Sequence, residues 1–192
     1  MTGQTIATAH WRALNHEGDD KCRLAKVDHG WLLIGHARFR DDSGFAALDY
    51  VVRCDESWRT LSADISGLHG ERQVNVHIEC DGGDWQLNGV PQPDVAGARD
   101  LDISFTPATN LMALRRLSAQ PEPWLSVSAG WLRYPELELA PLSQTYTRSG
   151  AAGQVDYVAA QSGFSTRFEV DPSGFVTLYP DLWEGEVDHA SP

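Results

Sequence analysis

The sequence predicts an all-β protein: a large, mainly antiparallel sheet, curled or closed into a barrel, with one short helix near residues 107–117. Three observations predict it. Apolar and polar residues alternate with period two along many short segments, and turn residues separate those segments at regular spacing. Several short strings also recur in the same order through both halves of the chain. Period two puts alternate side chains on opposite faces, as in a strand with one face buried, whereas a helix repeats every 3.6 residues. Many short strands at even spacing favour a curled sheet or barrel over a layered α/β fold.

The strands can be taken in order. Candidates run at Ile6–Leu14, Cys22–Val27, Trp31–Phe39, Phe45–Cys54 and Arg59–Ile65. In Arg72–Glu79 the apolar Val74, Val76 and Ile78 alternate with Asn75, His77 and Glu79. Leu101, Ile103 and Phe105 alternate with Asp102 and Ser104, and Leu125, Val127, Ala129 and Trp131 share one face. Glu136–Ala140, Gln144–Arg148, Val155–Ala160, Phe164–Val170 and Phe175–Tyr179 complete the series. Turns are marked at Asp28-His29-Gly30, Asp41-Asp42-Ser43-Gly44, Asp81-Gly82-Gly83-Asp84 and Asp171-Pro172-Ser173-Gly174. For the helix, Thr106 is a candidate cap and Pro107 suits the first position, while Leu111, Leu114 and Leu117 recur at helical spacing. The segment from residue 183 to 192 reads as an acidic tail.

The recurring strings suggest an internal duplication within a single domain spanning residues 1–192, with copies at roughly 5–95 and 96–182. Gly30-Trp31-Leu32 returns as Gly130-Trp131-Leu132, and Asp49-Tyr50-Val51 as Asp156-Tyr157-Val158, at offsets of 100 and 107 residues. Asp64-Ile65-Ser66-Gly67-Leu68 matches Asp171-Pro172-Ser173-Gly174-Phe175, again at 107. Two meanders that cannot each bury an apolar face would pair through a shared core, related by a pseudo-twofold axis. Trp31 and Trp131 would then hold equivalent topological positions.

Composition narrows the function. The chain of 192 residues carries 15 Lys and Arg against 27 Asp and Glu, a formal charge of −12, which argues against nonspecific nucleic-acid or anionic-membrane binding. No apolar run approaches the roughly 20 residues of a membrane helix. The opening MTGQTIATAHWRALNHEG has no basic region followed by an apolar one, and Cys22, Cys54 and Cys80 form no CxxC. Together these favour reduced thiols and a cytoplasmic location. GxSxG, GxxxxGK[ST] and GxGxxG are absent, and the seven histidines show no HxH or HExxH spacing. No cofactor or metal is therefore expected. Two features can carry chemistry. Asp100 and Asp102 lie on the polar face of one strand, able to hold a cation, share a proton or simply face solvent. Arg115 and Arg116 point in different directions from the one helix, free to fork onto an anion or to pair with Asp100 and Asp102.

Gly97-Ala98-Arg99-Asp100-Leu101-Asp102-Ile103-Ser104-Phe105-Thr106-Pro107-Ala108-Thr109-Asn110, followed by Leu114-Arg115-Arg116-Leu117, resembles the signature of the bacterial putative glycolipid-binding family. The likeness extends over Trp11, Tyr50, Trp58, Asp84-Trp85, Gln144-x-Tyr146, Tyr157 and Asp171-x-x-Gly174-x-Val176-x-x-Tyr179-Pro180. Ala98 departs from the family's usual cysteine, and Met112-Ala113 from a usual Leu-Pro. The resemblance implies an open half-barrel with duplicated halves, of the kind that carries lipids. On that reading the protein is a non-catalytic binder of a lipid or glycolipid. A concave face lined by Trp and Phe takes the acyl chain, and Arg115, Arg116, Asn110, Gln144, Tyr146, Tyr157 and Tyr179 hold the polar head. Burial of about ten methylenes contributes about 8 kcal/mol before ordering costs. Two alternatives stay open. One is an enzyme acting on a sugar- or nucleotide-linked substrate through Asp100 or Asp102 and Arg115 or Arg116. The other is an interaction module with an exposed sheet edge.

Overall fold

The structure is a computed structural model that describes residues 3–42 and 44–190, so Ser43 of the predicted Asp41–Gly44 turn and the last two residues of the predicted tail lie outside the described residues. A single sheet of 15 strands dominates it. The first eight strands form a meander: β1 (Gln4–Ala13), β2 (Glu17–Val27), β3 (Gly30–Asp41), β4 (Gly44–Cys54), β5 (Thr60–His69), β6 (Arg72–Asp81), β7 (Asp84–Leu87) and β8 (Val90–Pro91). A 3-10 turn at Pro93–Val95 leads to β9 (Asp100–Ile103) and the helix α1 (Asn110–Ala119). A second meander follows: β10 (Trp124–Arg133), β11 (Glu138–Arg148), β12 (Gln154–Ala159), β13 (Phe164–Val170), β14 (Val176–Tyr179) and β15 (Trp183–His189). The two are joined where β1 pairs with β15, so the sheet runs from β8 to β1, then from β15 back to β9. Every pairing is antiparallel except that of β9 with β10.

The alternation read from the sequence is the alternation of burial. In β6, Val74, Val76, Ile78 and Cys80 are buried while Gln73, Asn75, His77 and Glu79 are exposed. Two inward aromatics lie over glycines on the neighbouring strand. Tyr50 faces Gly35 across β3 and β4, and Trp11 faces Gly185 across β1 and β15. A Cβ at either glycine would collide with the ring. The indole of Trp11 crosses its neighbour and donates from Nε1 to the Val176 carbonyl at 2.6 Å, tying β1 to β14.

The sheet is not closed by a strand pairing, since β8 and β9 are its two edges. The curl nevertheless brings the edges near one another. Thr60, which opens β5, donates its N–H to the Arg99 carbonyl at 3.0 Å, and its hydroxyl accepts the Leu101 N–H at 2.9 Å. Trp85 of β7 donates from Nε1 to the Ala98 carbonyl at 3.0 Å. The space inside the curl is filled by α1. Leu111 and Met112 pack with the inward residues of β1–β7, and Ala113, Leu114 and Leu117 with those of β10–β14.

Four expectations are corrected. The helix begins at Asn110 rather than Pro107, because residues 107–109 form a turn of their own. The Thr106 hydroxyl accepts the Ala108 N–H at 3.0 Å, and the Asn110 N–H reaches only back to the Pro107 carbonyl at 3.3 Å. The predicted segments Glu136–Ala140 and Gln144–Arg148 merge into one strand, β11, from Glu138 to Arg148, with Glu136 and Leu137 in the turn before it. Pro141 is tolerated within it because β12 pairs only with Gln144–Arg148, leaving no neighbour to require the missing N–H. The acidic segment after residue 182 is no tail: Trp183–His189 is β15, paired with both β1 and β14. Its glutamates alternate outward while Trp183 turns in.

The matched strings also sit at different strand positions. Gly30-Trp31-Leu32 opens β3, whereas Gly130-Trp131-Leu132 lies near the end of β10. Asp49-Tyr50-Val51 is in the hairpin partner of β3, whereas Asp156-Tyr157-Val158 is separated from β10 by β11. Trp31 and Trp131 are therefore not topological equivalents. The strings share local strand chemistry, with an inward tyrosine between outward residues, rather than a common place in the sheet.

Candidate functional site

The helix sends its two arginines to different places. Arg116 forms a fork-to-fork pair with Asp100, with nitrogen–oxygen distances of 2.8 and 2.5 Å, and also donates to the Trp58 carbonyl at 2.7 Å. The side chains are only 20% and 5% exposed, so this pair is a structural clamp between α1, β9 and the β4–β5 loop rather than a free anion site. Arg115 instead lies over the Trp58 ring at 5.1 Å and reaches the Ser173 carbonyl at 3.4 Å. Trp58 is itself stacked on Trp31, with centroids 4.1 Å apart.

Most of the other predicted residues gather on the opposite side of α1. A cavity of about 310 Å³ opens between α1, the end of β9, β10–β14 and the start of β15. Its walls include Trp131, Leu142, Tyr157, Phe164, Tyr179 and Trp183, and its polar side is made by Asp102, Ser104, Thr106, Asn110, Gln161 and Ser162. The amide of Gln144 donates to Asp102 at 2.6 Å and to the Tyr157 hydroxyl at 2.9 Å, holding carboxylate and phenol side by side. Tyr146 is buried behind this wall, its hydroxyl committed to Asn110 Oδ1 at 2.8 Å. The rings of Tyr157, Phe168 and Tyr179 form a packed cluster, with Tyr157 stacked on Phe168 at 4.9 Å and Tyr179 edge-on to it at 4.5 Å. Of the predicted head-binding residues, then, Asn110, Tyr157 and Tyr179 line one cavity. Gln144 and Tyr146 support it from behind, and the two arginines lie outside it.

Burial pushes the Asp102 carboxyl up to about 6, with the nearby Asp100 charge adding to the rise and the Gln144 hydrogen bond opposing it. Sequence reasoning missed another buried acid, Asp20 of β2. It accepts hydrogen bonds from Tyr50 at 2.9 Å and from Thr106, which also lines the cavity. Burial raises Asp20 to about 7 against the pull of those two hydroxyls. Among the described residues its other oxygen, Oδ1, has no hydrogen-bond partner.

These shifts carry a pH dependence. The folded state keeps these protons at a pH where the unfolded chain, titrating near 4, has lost them. Folding is therefore favoured at low pH, and stability falls as pH rises from about 4 towards 7. His77, whose pKa is raised by its hydrogen bonds to Asp64 and Glu79, acts in the same direction. The expected result of melting followed by circular dichroism is a lower Tm at pH 8 than at pH 5, with a smaller difference in Asp20→Asn, which has no proton to lose. An unchanged slope in the variant would rule out Asp20 as the source.

Among the described residues, no group of three His, Cys, Asp or Glu is placed to hold a metal ion, and no helix is long and apolar enough to cross a membrane. Cys22, Cys54 and Cys80 are buried free thiols.

Comparisons with known proteins bear on this site. A family model described as "Putative glycolipid-binding" matches residues 8–185. The chain is similar to the crystal structure of a DUF1089 family protein from Pseudomonas aeruginosa, with a TM-score of 0.74 and 28% identity over 86% of this chain and 91% of that one. It shares its fold with a β-barrel-like protein of the domain of unknown function DUF1849 from Brucella abortus, at a TM-score of 0.55 and 8% identity, covering 99% of this chain and 100% of that one. No curated protein matches.

Proposed function

Because the chain belongs to the putative glycolipid-binding family, we propose that it binds a lipid or glycolipid without transforming it, in the cavity between α1 and β10–β14. The observation that carries this reading is the two-sided lining of the cavity. Trp131, Leu142, Phe164 and Tyr179 offer an aromatic and aliphatic wall to hydrocarbon or to the apolar face of a sugar. Asp102, Asn110 and Tyr157 supply acceptors and donors within the same space for hydroxyls. Its volume, about 310 Å³, lies at the small end of small-molecule sites, which suits one head group with its first methylenes. The arginines of the sequence reading drop out, and the head is held by neutral and acidic groups. Buried free thiols support a reducing, cytoplasmic setting.

The test joins native mass spectrometry of the purified protein with a titration of octyl glucoside read by tryptophan fluorescence. Trp131 and Trp183 report from the cavity wall. The expected result is one amphiphile per chain and saturable binding that Leu142→Trp, which fills the cavity, weakens at least tenfold. Absence of both a retained lipid and a saturable response, or a Leu142→Trp variant that binds as well as the parent, would overturn the reading.

One observation favours an enzyme instead: Asp102, a carboxylate raised to about 6, faces the cavity beside Tyr157. The anion clamp that reading needs is not in this cavity, since Arg116 is committed to Asp100 and Arg115 is not part of the lining. Product analysis with alkyl glycosides decides it, because turnover abolished by Asp102→Asn would replace binding with catalysis.

A further inference from the structure

A second cavity, of about 480 Å³, lies towards the C-terminal end of α1, against the β11–β12 and β13–β14 turns. Its floor is apolar, formed by Leu114 and Leu117 of the helix with Val155 and Val170 of the sheet. Ser118 and Ser149 are also in its lining. Two arginines contribute, and they differ. Arg148 is saturated by main-chain carbonyls, donating to Leu117, Gln120, Pro121 and Glu122 at 3.4, 3.2, 2.8 and 2.8 Å. It closes the C-terminal end of α1 and has little left for a ligand. Arg115 makes one long bond to the Ser173 carbonyl at 3.4 Å, stacks on Trp58 and forms no ion pair among the described residues.

Other arginines also lack an ion pair among the described residues, Arg38 and Arg72 among them, but Arg115 lines a cavity with an apolar floor. The one carboxylate in the lining, Asp171, is already engaged: Oδ1 accepts from the N–H and hydroxyl of Ser173, and Oδ2 contacts His189 Nε2 at 3.0 Å. The local backbone also makes room for Arg115. Gly174, at φ 97°, lies against its methylene stem, where a Cβ would press on Cδ.

We propose that this second cavity is a binding site for a single-chain amphiphile with a carboxylate head, its hydrocarbon on Leu114, Leu117, Val155 and Val170 and its head on the guanidinium of Arg115. An unpaired guanidinium beside an apolar floor matches a charged head joined to an alkyl chain, and one free fork matches a monoanion. A phosphate dianion would need a second free cation, which Arg148 does not provide, and Asp171 adds a charge against it. This site is independent of whatever occupies the first cavity.

Isothermal titration of the full chain with sodium decanoate tests it, with 1-decanol, sodium acetate and decyl phosphate as comparators. The expected result is one decanoate per chain, bound at least tenfold more tightly than any comparator. Arg115→Met, which keeps the stem and removes the charge, weakens decanoate about tenfold. Ser118→Trp, an exposed position at the cavity lining, blocks decanoate and carries the test if the arginine variant does not fold. In both variants the response to octyl glucoside is that of the parent, which separates this site from the first cavity. No decanoate binding, equal binding of decanol or decyl phosphate, or variants that bind decanoate as well as the parent would overturn the proposal.

Discussion

Arg116→Leu lowers the free energy of unfolding by about 3–5 kcal/mol, because it removes one partner of a buried ion pair and leaves the other charge uncompensated. The Asp100 side chain is 5% exposed, and among the described residues Arg116 is the side chain hydrogen-bonded to its carboxylate, at 2.8 and 2.5 Å. Burial already raises the pKa of Asp100, and losing the guanidinium raises it further, so the isolated acid takes up a proton at neutral pH or the fold bears its charge. Urea titration at pH 7.5 measures the loss, and the loss shrinks as the pH falls through the carboxylate range, because protonation removes the charge that Asp100 carries without its partner. The double variant Asp100→Asn/Arg116→Leu recovers part of it, since no buried charge remains. A single variant as stable as the parent would mean that the pair is solvated and contributes nothing.

Trp11→Ala costs a similar amount, about 3–5 kcal/mol, through a different mechanism. The indole is 1% exposed, lies edge-on to Phe175 at 5.4 Å and occupies the space that Gly185 leaves open. Truncation creates a cavity and strands the Val176 carbonyl without its donor. Trp11→Phe separates the two effects, keeping most of the volume while losing the N–H, and falls about 1–3 kcal/mol below the parent. Guanidinium unfolding of the three proteins, with comparable m-values, checks the order. A Phe variant as unstable as Ala would place the whole cost on the hydrogen bond.

Much of this architecture was legible in the residues because a half-buried strand writes its burial into the chain. Val74, Val76 and Ile78 announce β6 without any knowledge of its neighbours. What was hidden depends on neighbours. Trp183–His189 carries three acids and reads as solvated, and only its placement between β1 and β14 gives its main chain a partner on each side. Pro141 reads as a break and is not one, because the edge on that side is free. The candidate site was partly visible. Asn110, Tyr157 and Tyr179 were named from the sequence, but the turn at residues 107–109 was read as the start of the helix. Which arginine meets an acid depends on the rotation of α1, and spacing does not fix that. Asp20 did leave a signal: it shares a strand face with Cys22 and Leu24, and a carboxylate in step with apolar residues marks a buried acid.

The pairing of β1 with β15 sets an order on assembly. Ala7 meets His189 in the middle of the sheet, not at an edge, so the central ladder closes only after the residues between them have been made. The eight-stranded meander leaving the ribosome first must wait with β1 unpaired on its outer side, and the helix that plugs the curl arrives only midway. Such long sequence separations slow the search for the native pairing. They also concentrate vulnerability: a chain stopped before Trp183 would lose a central strand and expose β1 and β14 as sheet edges.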